Sequence, residues 1–398
     1  MLNYLFYVCL GTLVLGQFSA LAKSSGLNIY AFDIAVSVFA FTGILKFLLK
    51  KSLEVPKTYF GFLGFTLIAA LSLAPQILKL NSENFLASFF YLFRWATYLM
   101  AGLVVYNMLA GKELTLGQTY KAIIYAGLFI SVAGFIQLVL LPDFAVLNPA
   151  LGWDPHKNRL ASTFFDPNFA GAFLNLCICV LLSADKKLLK LKSNIPLVLS
   201  FLIILISIIL TFSRSSWAMF GTIILIYGIF KYRKLLFLAF LIAFLAYFAV
   251  PRIQTRISGA TDPSDSAYFR FISWGHALEI AKDNLLLGVG YDTYRYYQKD
   301  YGFFEIGETG GHSGSGVDSS LLLVLATTGV IGLSMFVFSI LYPLIASFTV
   351  SKEVLLIWAA TFGLLVHSVF VNSLFFPQIL FVWLTILSVF SSFLRKSH

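Results

Sequence analysis

The sequence predicts an all-α polytopic membrane protein of about twelve transmembrane helices with one large external loop carrying short helices. Three observations lead there. Only 12% of the 398 residues are charged and 59% are hydrophobic, whereas a soluble domain is about a quarter charged. Apolar runs of about 20 residues recur from end to end, each long enough to cross a bilayer. The basic residues punctuate those runs and separate by type, most lysines to one side and seven of the nine arginines to the other.

In order, the spans fall at roughly 3–22, 29–49, 58–78, 85–109, 119–141, 167–184, 195–212, 215–231, 234–251, 318–348, 353–372 and 375–394. The first run, Leu2 to Leu21, lacks a basic n-region and a small-residue cleavage site, so it reads as a retained span. With both termini cytoplasmic, the inner connections carry Lys46, Lys50, Lys51, Lys57, Lys112 and Lys121, then the Lys186–Lys192 loop. Lys231, Arg233, Lys234, Lys352, Arg395 and Lys396 follow on the same side. This is the positive-inside pattern, and it accounts for most of the formal charge of +10 without any appeal to nucleic acid. Cys9, Cys177 and Cys179 fall inside spans and read as packing residues, with no disulfide or metal spacing.

The outer side holds Arg94, Arg159, Arg214, Arg252, Arg256, Arg270 and Arg295, leaving only Arg233 and Arg395 inside. The positive-inside rule gives no reason for arginine there. A planar guanidinium that grips two oxygens at once suggests phosphate. The chain thus divides into N-terminal spans (1–141), central spans with the Arg159 and Arg214 motifs (142–251), an outer loop (252–317) and C-terminal spans (318–398). Within the outer loop, Tyr268 to Asp283 has helical spacing, with Pro263 and Asp265 before it as a start signal. Gly288, Gly290, Gly302, Gly307, Gly310, Gly311, Gly314 and Gly316 then mark a turn-rich stretch. No internal repeat is visible, which gives an inverted-repeat transporter little support.

Five segments carry possible chemistry. Arg214 lies in Thr-Phe-Ser-Arg-Ser-Ser-Trp between two nearly continuous apolar runs. Either it snorkels, or it meets an anion with help from Ser213, Ser215, Ser216 and the following helix N-terminus. Arg94 beside Trp95 poses the same alternatives. Arg159 precedes Asp166-Pro167-Asn168, where Asp166 and Asn168 either cap the next helix or join a site. Arg270 opens Arg270-x3-Trp274 ahead of Gly288-x-Gly290. Finally, His312 and Asp318 precede a span containing Gly329-x-x-Gly332. There Asp318 is either a helix cap or, like His312, a group able to accept a proton from a sugar hydroxyl. His367, inside a span with no motif, reads as a packed, hydrogen-bonded histidine.

Taken together over roughly 155–335, these residues resemble the O-antigen ligase and O-antigen polymerase superfamily of bacterial inner membranes. The carriers of the resemblance are Arg159 with Ser162 and Asn168, Thr211-x-Ser213-Arg214, Arg270-x3-Trp274 leading to Gly288-x-Gly290, and a polar pair eleven residues before a Gly-x-x-Gly. The resemblance implies a GT-C-like, metal-independent glycosyltransferase of the inner membrane, without cofactors, whose large loop is periplasmic. It implies partners: a glycan on undecaprenyl pyrophosphate, an acceptor glycan or glycolipid, and the bilayer, with no nucleic acid. It also implies that Arg159, Arg214 and Arg270 bind the pyrophosphate, with Arg94, Ser213, Asn168 and Trp274 as secondary candidates. Where the ligase pattern has a catalytic histidine, this chain has Asp318, and His312 stands six residues earlier. Asp318 and His312 are therefore the two candidate bases. A lipid-linked oligosaccharide flippase or other polysaccharide transporter is the alternative.

Overall fold

The computed structural model describes residues 1–24, 27–147, 156–258, 266–303, 316–347 and 350–397. His312, Pro263, Asp265 and the glycines at 307, 310, 311 and 314 lie outside them. Every apolar run is helical. The N-terminal half holds α1 (Leu2–Leu15), α2 (Ala31–Leu49), α3 (Lys57–Leu73), α4 (Ser82–Ala110) and α5 (Leu116–Leu140). Next come α6 (Pro167–Ser183), α7 (Ile195–Leu210), α8 (Arg214–Phe230) and α9 (Arg233–Ala249). The expected outer loop contains α10 (Pro251–Ser258), α11 (Ser266–Asp283) and α12 (Tyr294–Asp300). The chain closes with α13 (Ser320–Ile345), α14 (Lys352–Phe370) and α15 (Pro377–Ser397).

Among the described residues, eight helical stretches are long and apolar enough to cross a membrane. The bent pair α9 and α10 passes the same test only when taken together, and α6, α7 and α8 are shorter apolar helices. Large apolar side chains are exposed along these helices, Leu67, Phe89, Val139, Phe237 and Phe240 among them. Water would oppose such a surface, whereas lipid tails accept it. The helices form two adjoining groups. α3 packs on α13, α4 on α2 and α15, and α1 on α2; α8 packs on α14 and α6, and α5 on α6. α15 and α6 join the groups and are the most enclosed, whereas α9 buries no residue and lies at the edge. All three cysteines are unpaired and buried, as their position in spans suggests. One short antiparallel hairpin, β1 (Ala20–Ser24) with β2 (Leu27–Tyr30), links α1 to α2.

Two departures from straight spans shape one end of the bundle. α10 turns 97° away from α9 at Pro251, where proline cannot continue a helical hydrogen-bond ladder. α13, expected as one continuous span, is broken at Gly329 (φ 64°, ψ −170°). The break exchanges hydrogen bonds with the loop after α11. The amides of Val330 and Ile331 donate to the carbonyls of Leu285 and Leu286 (2.8 and 3.4 Å) rather than back along α13. The carbonyls they leave, on Ala326 and Thr327, accept from Val289 and Gly290 (both 2.9 Å). Membrane backbone without such partners costs several kcal/mol per group, so the loop completes what the helix gives up. The exchange needs backbones in contact. A Cβ at Gly288 would lie 2.4 Å from the Thr327 carbonyl carbon, and one at Gly329 would lie 2.2 Å from the Leu286 oxygen. Gly288-x-Gly290 and Gly329 are thus the two halves of one backbone joint.

Candidate functional site

Several of the arginines are brought together by helix ends. The loop before α6 docks on the C-terminus of α7: the Leu160 amide donates to Leu210 O and Arg159 Nε to Thr211 O, each at 2.9 Å. These carbonyls are orphans of a helix end and attract positive charge. Arg159 is only 9% exposed, and its Nη1 meets His156 Nδ1 at 3.3 Å. The turn at Pro251 lays α10 over this loop. Arg252 donates to the carbonyls of Asn158 (2.6 Å) and Lys157 (2.5 Å), with its guanidinium 4.1 Å from the Phe212 ring centre. Arg214, the first residue of α8, donates from Nη1 to Arg256 O at 3.1 Å.

Five arginines from four segments thus share one neighbourhood. Burial and the charges of Arg256, Arg270 and Arg252 push the Arg159 guanidinium down to about 9, against the opposing pull of Asp166. At neutral pH it remains a cation. The backbone here is strained as well. Asn158, Ser162, Phe165 and Phe212 all have positive φ (49°, 54°, 58° and 46°), uncommon for side-chain-bearing residues and costly for a bulky one. Such strain clusters at functional sites when surrounding contacts hold it in place.

The neighbouring polar residues are committed to the scaffold. Asp166 caps α6, accepting from the amides of Asn168 (2.6 Å) and Phe169 (3.2 Å), with Pro167 in the first turn. Ser213 caps α8 through the Ser216 amide and donates to Asn168 Oδ1 at 2.7 Å. Ser216 meets Asn175, and Ser215 meets His367 Nε2 at 3.2 Å. The serines expected to help Arg214 bind an anion are instead buried and bonded within the protein. His367 is fully buried, with Nδ1 2.9 Å from Ser373 Oγ, the packed histidine expected. The charge of Arg270 also reaches it.

Asp318 sits one helical turn along α11 from Arg270. Its amide donates to Ser273 Oγ and its carbonyl accepts from Trp274 Nε1, both at 3.1 Å. The cap of α13 is Ser319, which accepts from the Leu322 amide, so Asp318 lies just outside the helix. Trp274 thereby acts as a clamp on Asp318. Arg94 stands with a different set: it pairs with Asp33 at 2.7 Å, donates to Asn28 O, and lies over Phe90 and Tyr91.

Sequence reasoning passed over Arg252 and Arg256 as site residues. Their i, i+4 spacing, which puts both on one face of a helix, was the available signal. Among the described residues, no three His, Cys, Asp or Glu side chains cluster as metal ligands. No curated protein matches the chain. Residues 199–337 match the O-antigen ligase family model, Wzy_C. That stretch carries Arg214, Arg252, Arg256, Arg270, Asp318 and both halves of the glycine joint, and it excludes Arg159.

Proposed function

We propose a specific reaction, on the premise that residues 199–337 match the O-antigen ligase family model. The protein moves a glycan from a polyprenyl pyrophosphate to an acceptor hydroxyl at the outer face of a bacterial inner membrane. The observation that carries this reading is the convergence of Arg159, Arg214, Arg252, Arg256 and Arg270. Like charges gathered in a partly buried place repel one another, and a diphosphate relieves the repulsion while accepting bidentate hydrogen bonds. Arg159, Arg214 and Arg270 are the pyrophosphate ligands, and Arg252 and Arg256 add to the field. The acceptor oxygen attacks the anomeric carbon as its proton passes to the base, with Asp318 favoured over His312. The bond from the anomeric carbon to the phosphate oxygen breaks, and its electron pair leaves on the polyprenyl pyrophosphate. Fixed guanidiniums stabilise that charge as it develops, supplying what a metal ion would otherwise supply.

The test is transfer by purified protein from a polyprenyl-pyrophosphate glycan to candidate acceptors, with no nucleotide or metal added. Product formation supports the reading. Lipid-linked glycan carried across a vesicle membrane without transfer replaces it with a flippase. Arg214→Lys is expected to lose roughly ten- to a hundredfold in rate, because one charge-assisted hydrogen bond contributes about 1.5–3 kcal/mol and lysine cannot grip two oxygens at once. A near wild-type rate in folded Arg214→Lys protein would rule out bidentate phosphate binding there.

Orientation rests on the lysine distribution and is tested separately. A thiol probe that cannot permeate intact cells is expected to label Lys299→Cys, at the exposed end of α12, and to leave Lys187→Cys unlabelled. The opposite pattern would invert the topology and move the arginines to the cytoplasm.

A further inference from the structure

A second polar hollow, of about 200 Å³, opens beside Gly316 and the first turns of α13. Its wall includes Arg94, Asp292, Arg295, Asn372, Tyr291 and Gly316, the last only two residues from Asp318. On the other side, Asp318 is hydrogen-bonded to α11, which carries Arg270. One short segment therefore touches both the arginine cluster's helix and this hollow.

The two places differ in charge balance. In the hollow each guanidinium has its own carboxylate: Arg94 pairs with Asp33 at 2.7 Å and Arg295 with Asp292 at 3.6 Å. Two cations against two anions leave little net attraction for a phosphate. The groups instead offer donors and acceptors side by side, with Asn372 adding one of each. Arg94 Nε is buried without a hydrogen-bond partner within the protein, a donor whose desolvation no protein group repays. Tyr91, Trp95 and Tyr98 supply flat apolar faces. Asp292 is held in a left-handed conformation (φ 59°), and burial pushes its carboxyl up to about 6. A carboxylate kept in such a costly setting, on a strained residue, is a feature of ligand-contacting positions. The volume lies below the roughly 300–1,000 Å³ of drug-sized sites, which suits a single ring.

We infer that this hollow is a subsite for one uncharged, hydroxyl-bearing sugar ring of the acceptor, seating its nucleophilic hydroxyl next to Asp318. The inference rests on the glycosyltransferase reading and adds the place and chemical class of the second substrate. Hydroxyls would bond to Asp292, Asn372 and the two arginines, and the ring's C–H faces would lie on the aromatic side chains.

The experiment uses the full-length protein in detergent with two kinds of probe. Methyl hexopyranosides (gluco, galacto, manno and N-acetylglucosamine) and methyl glucuronide are followed by saturation-transfer NMR, and inorganic pyrophosphate by calorimetry. At least one neutral glycoside is expected to bind, more tightly than the glucuronide. Asp292→Asn keeps shape and tolerates positive φ. Gly316→Leu adds bulk at the wall, where a Cβ meets nothing nearer than Asn372 at 3.7 Å. Each is expected to weaken glycoside binding at least tenfold and to leave pyrophosphate affinity within twofold. Should Asp292→Asn misfold, Gly316→Leu decides alone. No glycoside binding by the wild type, binding indifferent to Gly316→Leu, or preference for the glucuronide would each overturn the subsite. Failure of pyrophosphate to bind the wild type would instead remove the reading of the arginines.

Discussion

Asp318→Asn is expected to lower glycan transfer by about 10²–10⁴-fold, the contribution typical of a positioned general base, while pyrophosphate binding survives. The amide fills the same space but cannot take up the proton. Ser273 and Trp274 clamp the Asp318 backbone in place, and the helix cap is made by Ser319 instead. His312→Ala is the paired experiment and should be mild. If the severities are reversed, and the acidic limb of the pH–rate profile moves when His312 is replaced, the base is His312. Transfer that withstands both replacements would remove this segment from the chemistry and favour a transporter.

Gly329→Ala is expected to be the most damaging single-methyl change in the protein. The residue's φ of 64° and ψ of −170° lie where essentially only glycine goes, a strain of about 1–3 kcal/mol. The new Cβ would also sit 2.2 Å from a backbone oxygen that accepts one of the joint's hydrogen bonds. The joint must open, exposing polar backbone within a span. Losses beyond about 4 kcal/mol are exceptional for a point change, and here they should appear as little or no monodisperse protein. Gly221→Ala in α8, with nothing within 4 Å of its Cβ, is the control and should melt no lower than wild type. A Gly329→Ala protein with wild-type melting would mean the joint does not form.

Hydropathy made the helices legible because lipid demands a long apolar run of each one. The arginine site was half legible. Arg214 stands out because a charge at a span end needs a reason, and Arg159 and Arg270 stand out through the motifs they open. Arg252 and Arg256 were lost in a loop, since only the 97° turn at Pro251 brings them over Asn158. Arg94 looked like a phosphate ligand because its partner, Asp33, is 61 residues away in the chain, and ion pairs between helices leave no local mark. The serines beside Arg214 misled for the opposite reason: capping and anion binding call for the same residue types in the same first turn. The glycines of 288–290 and of 329–332 were visible as motifs, but each alone is compatible with many turns. Their meaning lies in the backbone contact between them.

That contact also imposes an order on biogenesis. Gly329 lies ~14 Å along α13 from Ser320, at a rise of about 1.5 Å per residue, well below the outer end. A nascent α13 entering lipid by itself would carry four unmatched backbone groups into hydrocarbon, and the bilayer would resist it. Their partners, from Leu285 to Gly290, leave the ribosome earlier. The preceding loop must therefore already be folded back towards the bundle before α13 can settle in its broken form. Insertion of α13 thus waits on the chain that precedes it, and docking of that loop becomes the committing step in building this end of the bundle.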